Sequence, residues 1–175
     1  MRLHALKHLT TAAKALGPSR RLVVLGSSSL LAMFPELGEM EGPVQTTLDA
    51  DILPEPVDEG IARMLAEAVG PASFFSQQHG YHADVLHPDI VEALPPGWEG
   101  RLVPLEDVSG VFCLDPHDAA AMKTVAGRGK DVALVRHLLQ TGKIQAGVLR
   151  ERLAALNLGE KEQFRAARTL SMAME

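Results

Sequence analysis

Apolar residues recur at Leu3, Leu6, Leu9, Ala13 and Leu16. Steps of three or four lay such residues along one stripe of a helix, predicted over residues 3–16. Gly17-Pro18 ends it. Residues 21–25 are short, apolar and partly β-branched and stop at Gly26, which predicts a buried strand. A short helix is expected over 28–34. Residues 35–45 combine Pro35, Gly38, Gly42 and Pro43 with Glu36, Glu39 and Glu41, which predicts an acidic loop. Residues 46–53 read as a strand closed by Pro54 and Pro56. Residues 57–69 form an amphipathic pattern with Ile61, Met64, Leu65 and Ala68 on one side. Residues 72–77 and 81–86 flank His79-Gly80, a pattern that predicts a hairpin. Two more short strands are expected over 101–105 and 111–114.

From Asp115 onward the period becomes helical, over residues 116–126, 129–140, 145–156 and 159–172. Asp115 suits an N-cap with Pro116 in the first turn, and Asp131 suits the N-cap of the next helix. Strands first and helices last predict an α+β fold with a helical C-terminal part. The expected division is residues 1–114 and 115–175.

Composition narrows the setting. Among 175 residues 46% are apolar, enough for a core and too many for a disordered chain. Cys113 is the single cysteine, so no internal disulfide forms and a reducing cytoplasm is the expected compartment. No apolar run approaches the roughly 20 residues of a membrane span. Arg2, His4, Lys7, His8 and Lys14 interrupt the N-terminal segment, so no export signal is read there.

The sharpest candidate chemistry is Leu48-Asp49-Ala50-Asp51-Ile52. In a strand Asp49 and Asp51 share a face, with Cα atoms about 6.6 Å apart at roughly 3.3 Å per residue. Two carboxylates on one face repel unless water or a cation screens them. Mg²⁺ suits them, because it prefers oxygen ligands and leaves positions for phosphate oxygens. Asp84 sits in a similar strand-like run; on an adjacent strand it would bring a third carboxylate, as a two-metal phosphoryl-transfer site needs. An Asp-x-Asp pair on a solvated edge strand is the plainer alternative.

Gly26-Ser27-Ser28 follows the first strand and precedes a helix, where backbone N–H groups and a hydroxyl favour a phosphate. An ordinary strand-to-helix turn with a serine cap has the same sequence. Lys123, Arg128 and Lys130 surround a helical corner marked by Gly127 and Gly129. Cations there suit a triphosphate or nucleic acid, and equally a solvated corner.

Taken in order, Gly26-Ser27, Asp49-Ala50-Asp51, Asp84 and the segment from Lys123 to Asp131 resemble the nucleotidyltransferase superfamily with the DNA polymerase β-like fold. Within it, Leu114-Asp115-Pro116-His117-Asp118 through Lys123, Gly127-Arg128, Lys130-Asp131 and Leu138-Leu139 are similar to bacterial AbiEii-type toxins and minimal nucleotidyltransferases. The resemblance spans roughly residues 20–142. It implies a small mixed β-sheet with flanking helices, followed by a C-terminal helical bundle. It implies that Gly26, Ser27 and Ser28 hold nucleotide phosphates and that Asp49, Asp51 and Asp84 bind Mg²⁺. Asp84 would also serve as general base, and Lys123, with Arg128 and Lys130, would contact the triphosphate. The implied reaction moves a nucleoside monophosphate from an NTP to an acceptor on RNA such as tRNA, on protein or on a small molecule. A toxin–antitoxin role and a partner protein or homodimer are implied with it. The spacing from Ser27 to Asp49 exceeds the family's usual one, so the acidic loop 35–45 reads as an insertion and a candidate lid. The competing expectation is a catalytically inactive binding module that keeps the fold and acts through a protein or nucleic-acid partner.

Other residues read more plainly. His79, His82 and His87 match no zinc spacing, and His82 shares a strand face with Asp84. Cys113 reads as core and Trp98 as a loop anchor. The formal charge of −5 is uneven: residues 1–119 hold 7 basic and 17 acidic residues, net −10, and residues 120–175 hold 10 and 5, net +5. Acids gather on the expected metal-binding part and cations on the helical part, where phosphates would land.

Overall fold

A computed structural model describes residues 1–17, 20–39, 42–44, 46–56 and 59–175. Pro18, Glu41 and the expected helix start at Val57 lie outside the described residues. The helical pattern near the N-terminus is helix α1 (Leu3–Leu16), with Leu6 and Leu9 completely buried. Strand β1 (Arg21–Val24) follows, and Ser27–Ala32 is a 3-10 helix rather than an α-helix. Strand β2 is Asp49–Glu55. Helix α2 (Glu59–Val69) buries Leu65 and Val69.

Pro54 does not close β2; it lies inside it, opposite Leu22 of β1. The Leu25 N–H donates to the Asp51 carbonyl, so positions 51, 53 and 55 face β1 with their hydrogen-bonding groups and 54 does not. The missing N–H of Pro54 therefore removes no bond to β1. On the other side the partner strand pairs only as far as Ile52.

The expected hairpin around His79-Gly80 is also replaced. Residues Phe74–His79 form helix α3, because the Ser73 hydroxyl accepts from the Ser76 N–H and Gly80 closes the helix in the left-handed region. Strand β3 (His82–Val85) then runs parallel to β2, with α2 and α3 as the crossover that a parallel pair requires. Strands β4 (Val103–Pro104) and β5 (Val111–Cys113) complete a five-stranded mixed sheet of order β3-β2-β1-β5-β4. β1 pairs antiparallel with β2 and parallel with β5.

The helical end matches its pattern closely: α4 (Pro116–Ala126), α5 (Gly129–Gln140), α6 (Ala146–Ala154) and α7 (Glu160–Met174). Asp115 caps α4 by accepting from the His117 and Asp118 N–H groups. The change from strands to helices falls between β5 and α4, and buried residues from both sides join one cluster. Asp118 is fully buried between these parts. Arg101 grips it with Nε and a second guanidinium nitrogen at 2.9 and 3.1 Å, and Arg152 Nε lies 3.0 Å away. Trp98 is buried as a loop anchor, and Cys113 is core. Among the described residues, no helix is long and apolar enough to cross a membrane.

Candidate active site

Alternation along β2 sends Asp49 and Asp51 to one face and the fully buried Ala50 and Ile52 to the other. A one-residue slip of the strand would bury both carboxylates and expose its core side chains, so this register is strongly specified. The parallel pairing then sets Asp84 of β3 directly beside Asp51. One carboxylate oxygen from each of Asp49, Asp51 and Asp84 lies within 4.8 Å of the others. Burial raises the Asp51 pKa above the ordinary carboxylate range, the charges of Asp49 and Asp84 push it the same way, and Lys123 opposes them. The oxygen-only donor set and this mutual crowding fit a hard divalent cation.

His82 shares the face of Asp84, with Nε2 3.7 Å from its Oδ1. The three neighbouring histidines go to different partners. His79 stacks with His8 and Phe75, and His87 sits beside Asp89 on the surface.

The turn after β1 is built around Gly26, at φ 64° and ψ −158°, a region open essentially to glycine alone. A Cβ there would stand 2.0 Å from Asp51 Oδ2. Gly26 therefore lets the backbone lie against the carboxylate. Ser27 lines the same cavity as the three acids. Ser28 does not: it is buried, and its hydroxyl donates back to the Leu25 carbonyl at 3.5 Å. The tight 3-10 turn points Ser27 outward and Ser28 and Ser29 inward, where the Ser29 hydroxyl donates to the Gly26 carbonyl.

The opposite wall comes from the corner between α4 and α5. Lys123 is partly buried, and burial lowers its pKa while Asp131 and Asp51 hold it up. Asp131 is the organiser of this wall. It is 1% exposed and accepts from Arg128 Nε at 2.6 Å and from a second guanidinium nitrogen at 3.2 Å, with Lys123 Nζ 3.9 Å away. That hydrogen-bonded pair raises the Arg128 pKa. Asp131 is not the N-cap of α5; it lies three residues inside, where it accepts from the Arg128 N–H.

A cavity of about 370 Å³ is lined by Ser27, Asp49, Asp51, Asp84, Lys123, Arg128 and Lys130. It brings together every residue singled out from the sequence except Gly26, which stands against Asp51 just outside it, and Ser28. Pro43, Thr46, Thr47, Asp131 and Leu134 also line it and were not singled out as site residues. The opposite charges of Arg128 and Asp131 three positions apart were the available signal for Asp131. Thr46 and Thr47 carry hydroxyls just ahead of the acidic pair; Pro43 and Leu134 carry no sequence signal. The described part of the acidic loop is tied down: Leu37 and Val44 are buried, the Val44 N–H donates to the Leu37 carbonyl, and Lys143 pairs with Glu36.

A family model described as a nucleotidyltransferase of unknown function (DUF6036) matches residues 4–175. No curated protein and no solved structure matches the chain. The three acids, the glycine turn and the cationic corner all fall inside the matched range, which covers nearly the whole length: the chain belongs to this family of nucleotidyltransferases.

Proposed function

We propose that the protein is an Mg²⁺-dependent enzyme that transfers a nucleoside monophosphate from an NTP to an acceptor hydroxyl on RNA, protein or a small molecule. The observation that carries this reading is one cavity in which three convergent carboxylates face Lys123, Arg128 and Lys130. Asp49, Asp51 and Asp84 would hold Mg²⁺, which when bound neutralises charge on the phosphate oxygens. Asp84 accepts the proton of the attacking hydroxyl. The new bond joins the acceptor oxygen to the α-phosphorus, and the bond from that phosphorus to pyrophosphate breaks. Lys123, Arg128 and Lys130 stabilise the negative charge that moves onto the leaving pyrophosphate. Ser27 and the backbone at Gly26 orient the phosphates, and Ser28 supports the turn from inside. Asp131 holds Arg128 in place.

Incubation with labelled NTPs and Mg²⁺ tests the reading, with Asp49→Ala/Asp51→Ala as control. Label transfer or Mg²⁺-dependent NTP binding in the wild type, lost in the double variant, supports it. Equal behaviour of the two overturns it. A cytoplasmic toxin–antitoxin role belongs to the same proposal; it predicts growth arrest on expression that the double substitution relieves.

A further inference from the structure

The cations that face the acidic centre stand on a yielding support. Lys123 lies in the last turn of α4, and Arg128 lies between Gly127 and Gly129, where the chain turns into α5. Two glycines around one arginine give that turn more backbone freedom than any other residue type would. The wall nevertheless needs a fixed angle between the two helices, because Lys123 Nζ meets the Asp131 carboxylate at 3.9 Å across the corner. Helix α7 spans the corner from behind and packs against both α4 and α5. Arg165 Nε donates at 2.5 Å to the carbonyl of Val125, in the last turn of α4, where carbonyls lack a partner within the helix. The arginine charge also suits that end of the helix dipole. Gly127 is left-handed at φ 65°, and α7 lies so close to it that a Cβ there would stand 2.8 Å from both Arg165 Cγ and Thr169 Oγ1. Further along, the Arg136 guanidinium of α5 donates to the Met172 carbonyl of α7.

We infer that Arg165 is a positioning residue for nucleotidyl transfer: α7, tied to α4 through Arg165 and to α5 through Arg136, splints the glycine corner and holds Lys123 and Arg128 where the phosphates meet them. The inference rests on the nucleotidyl-transfer reading above. Arg165 is exposed and does not line the catalytic cavity, so it acts through the corner and not by touching the nucleotide. Its hydrogen bond and its charge are separable by substitution. Glutamine carries an N–H the same number of bonds from Cα as arginine Nε, without the charge. Methionine has the same reach and no donor.

Titration calorimetry in Mg²⁺ with inorganic tripolyphosphate and with ATP tests this, at a temperature where circular dichroism shows each variant folded. Arg165→Met should weaken both ligands about tenfold, since a displaced contact group forfeits its geometry. Arg165→Gln, which restores the tie to Val125, should stay within about threefold of the wild type. A role in stability alone would lower the Tm of Arg165→Met and leave the affinity of the folded protein unchanged; that result overturns the inference. A glutamine variant as weak as the methionine variant also overturns it, because the loss then belongs to the charge. Should Arg165→Met fail to fold, Arg136→Met cuts the tie between α7 and α5 and carries the same expected loss, and wild-type affinity in that variant overturns the splint. A wild type that binds neither ATP nor tripolyphosphate instead overturns the nucleotidyl-transfer reading itself.

Discussion

Gly26→Ala tests how the glycine turn and the acidic centre depend on each other. Two costs add. At φ 64° and ψ −158° an alanine carries backbone strain of about 1–3 kcal/mol. Its Cβ would also stand 2.0 Å from Asp51 Oδ2, where contacts under 3.0 Å essentially do not occur, so the carboxylate must move by about an ångström. Forcing Asp51 off its rotamer adds roughly 0.5–1.5 kcal/mol. The expected loss is about 2–4 kcal/mol, or roughly 5–15 °C in Tm for a chain of this length. The moved carboxylate should no longer converge with Asp49 and Asp84, so Mg²⁺-dependent stabilisation by NTP should disappear. Thermal unfolding of Gly26→Ala, Asp51→Ala and the double variant separates the two costs. Removing the carboxylate relieves the overlap, so the double variant should recover the side-chain share and retain only the backbone strain. A Gly26→Ala protein that melts within 1 °C of the wild type and keeps its NTP response refutes the reasoning. So does a cycle with no coupling between the two positions.

Asp118→Ala leaves Arg101 and Arg152 without their shared, fully buried partner. The expected cost is about 3 kcal/mol, read by urea unfolding; a loss below about 1 kcal/mol refutes a structural role for the triad. Asp51 has its folded-state pKa raised by burial and by its acidic neighbours. Its protonated form is therefore favoured by folding, and this stabilisation is lost as pH rises from the ordinary carboxylate range through the raised value. Without Mg²⁺, Asp51→Asn should raise Tm at pH 7 and change it little near the acid end, and a lower Tm at pH 7 contradicts the sign. Mg²⁺ should raise the wild-type Tm more at pH 7 than at acid pH. The Cys113 thiol is fully buried and its pKa is pushed up to about 12. It should resist a disulfide reagent at pH 8 in the native protein and react once in denaturant; prompt native reaction would place it outside the core.

Helix α1, strand β1 and the four helices α4–α7 were legible because each carries its own instruction within about a dozen residues. An apolar stripe, a cap at Asp115 and a breaker at Gly127 act locally. The common face of Asp49 and Asp51 was legible for the same reason, since strand alternation needs no tertiary knowledge. Local rules misled where an element depends on its neighbours. Pro54 ends a strand only if its N–H is needed, and β3 stops too early to need it. The segment ahead of Gly80 has strand-like residues, yet the Ser73 cap and the crossover to a parallel β3 make it helix α3. Ser28 reads as a phosphate ligand until the 3-10 turn rotates it into the core.

The sequence by itself therefore determined helix α1, strand β1, the helices α4–α7, the shared face of the acidic pair and the separation of charge between the two parts of the chain. Tertiary structure alone decided that these meet. Asp84 reaches Asp51 because β3 is parallel to β2 in one register, and Lys123, Arg128 and Asp131 face them because the α4–α5 corner packs over that side of the sheet. Spacing along a chain constrains neighbours a few residues apart. Convergence of groups 33 and 72 positions from Asp51 depends on which strands pair and which helix faces are buried, and that is settled only when the whole core closes.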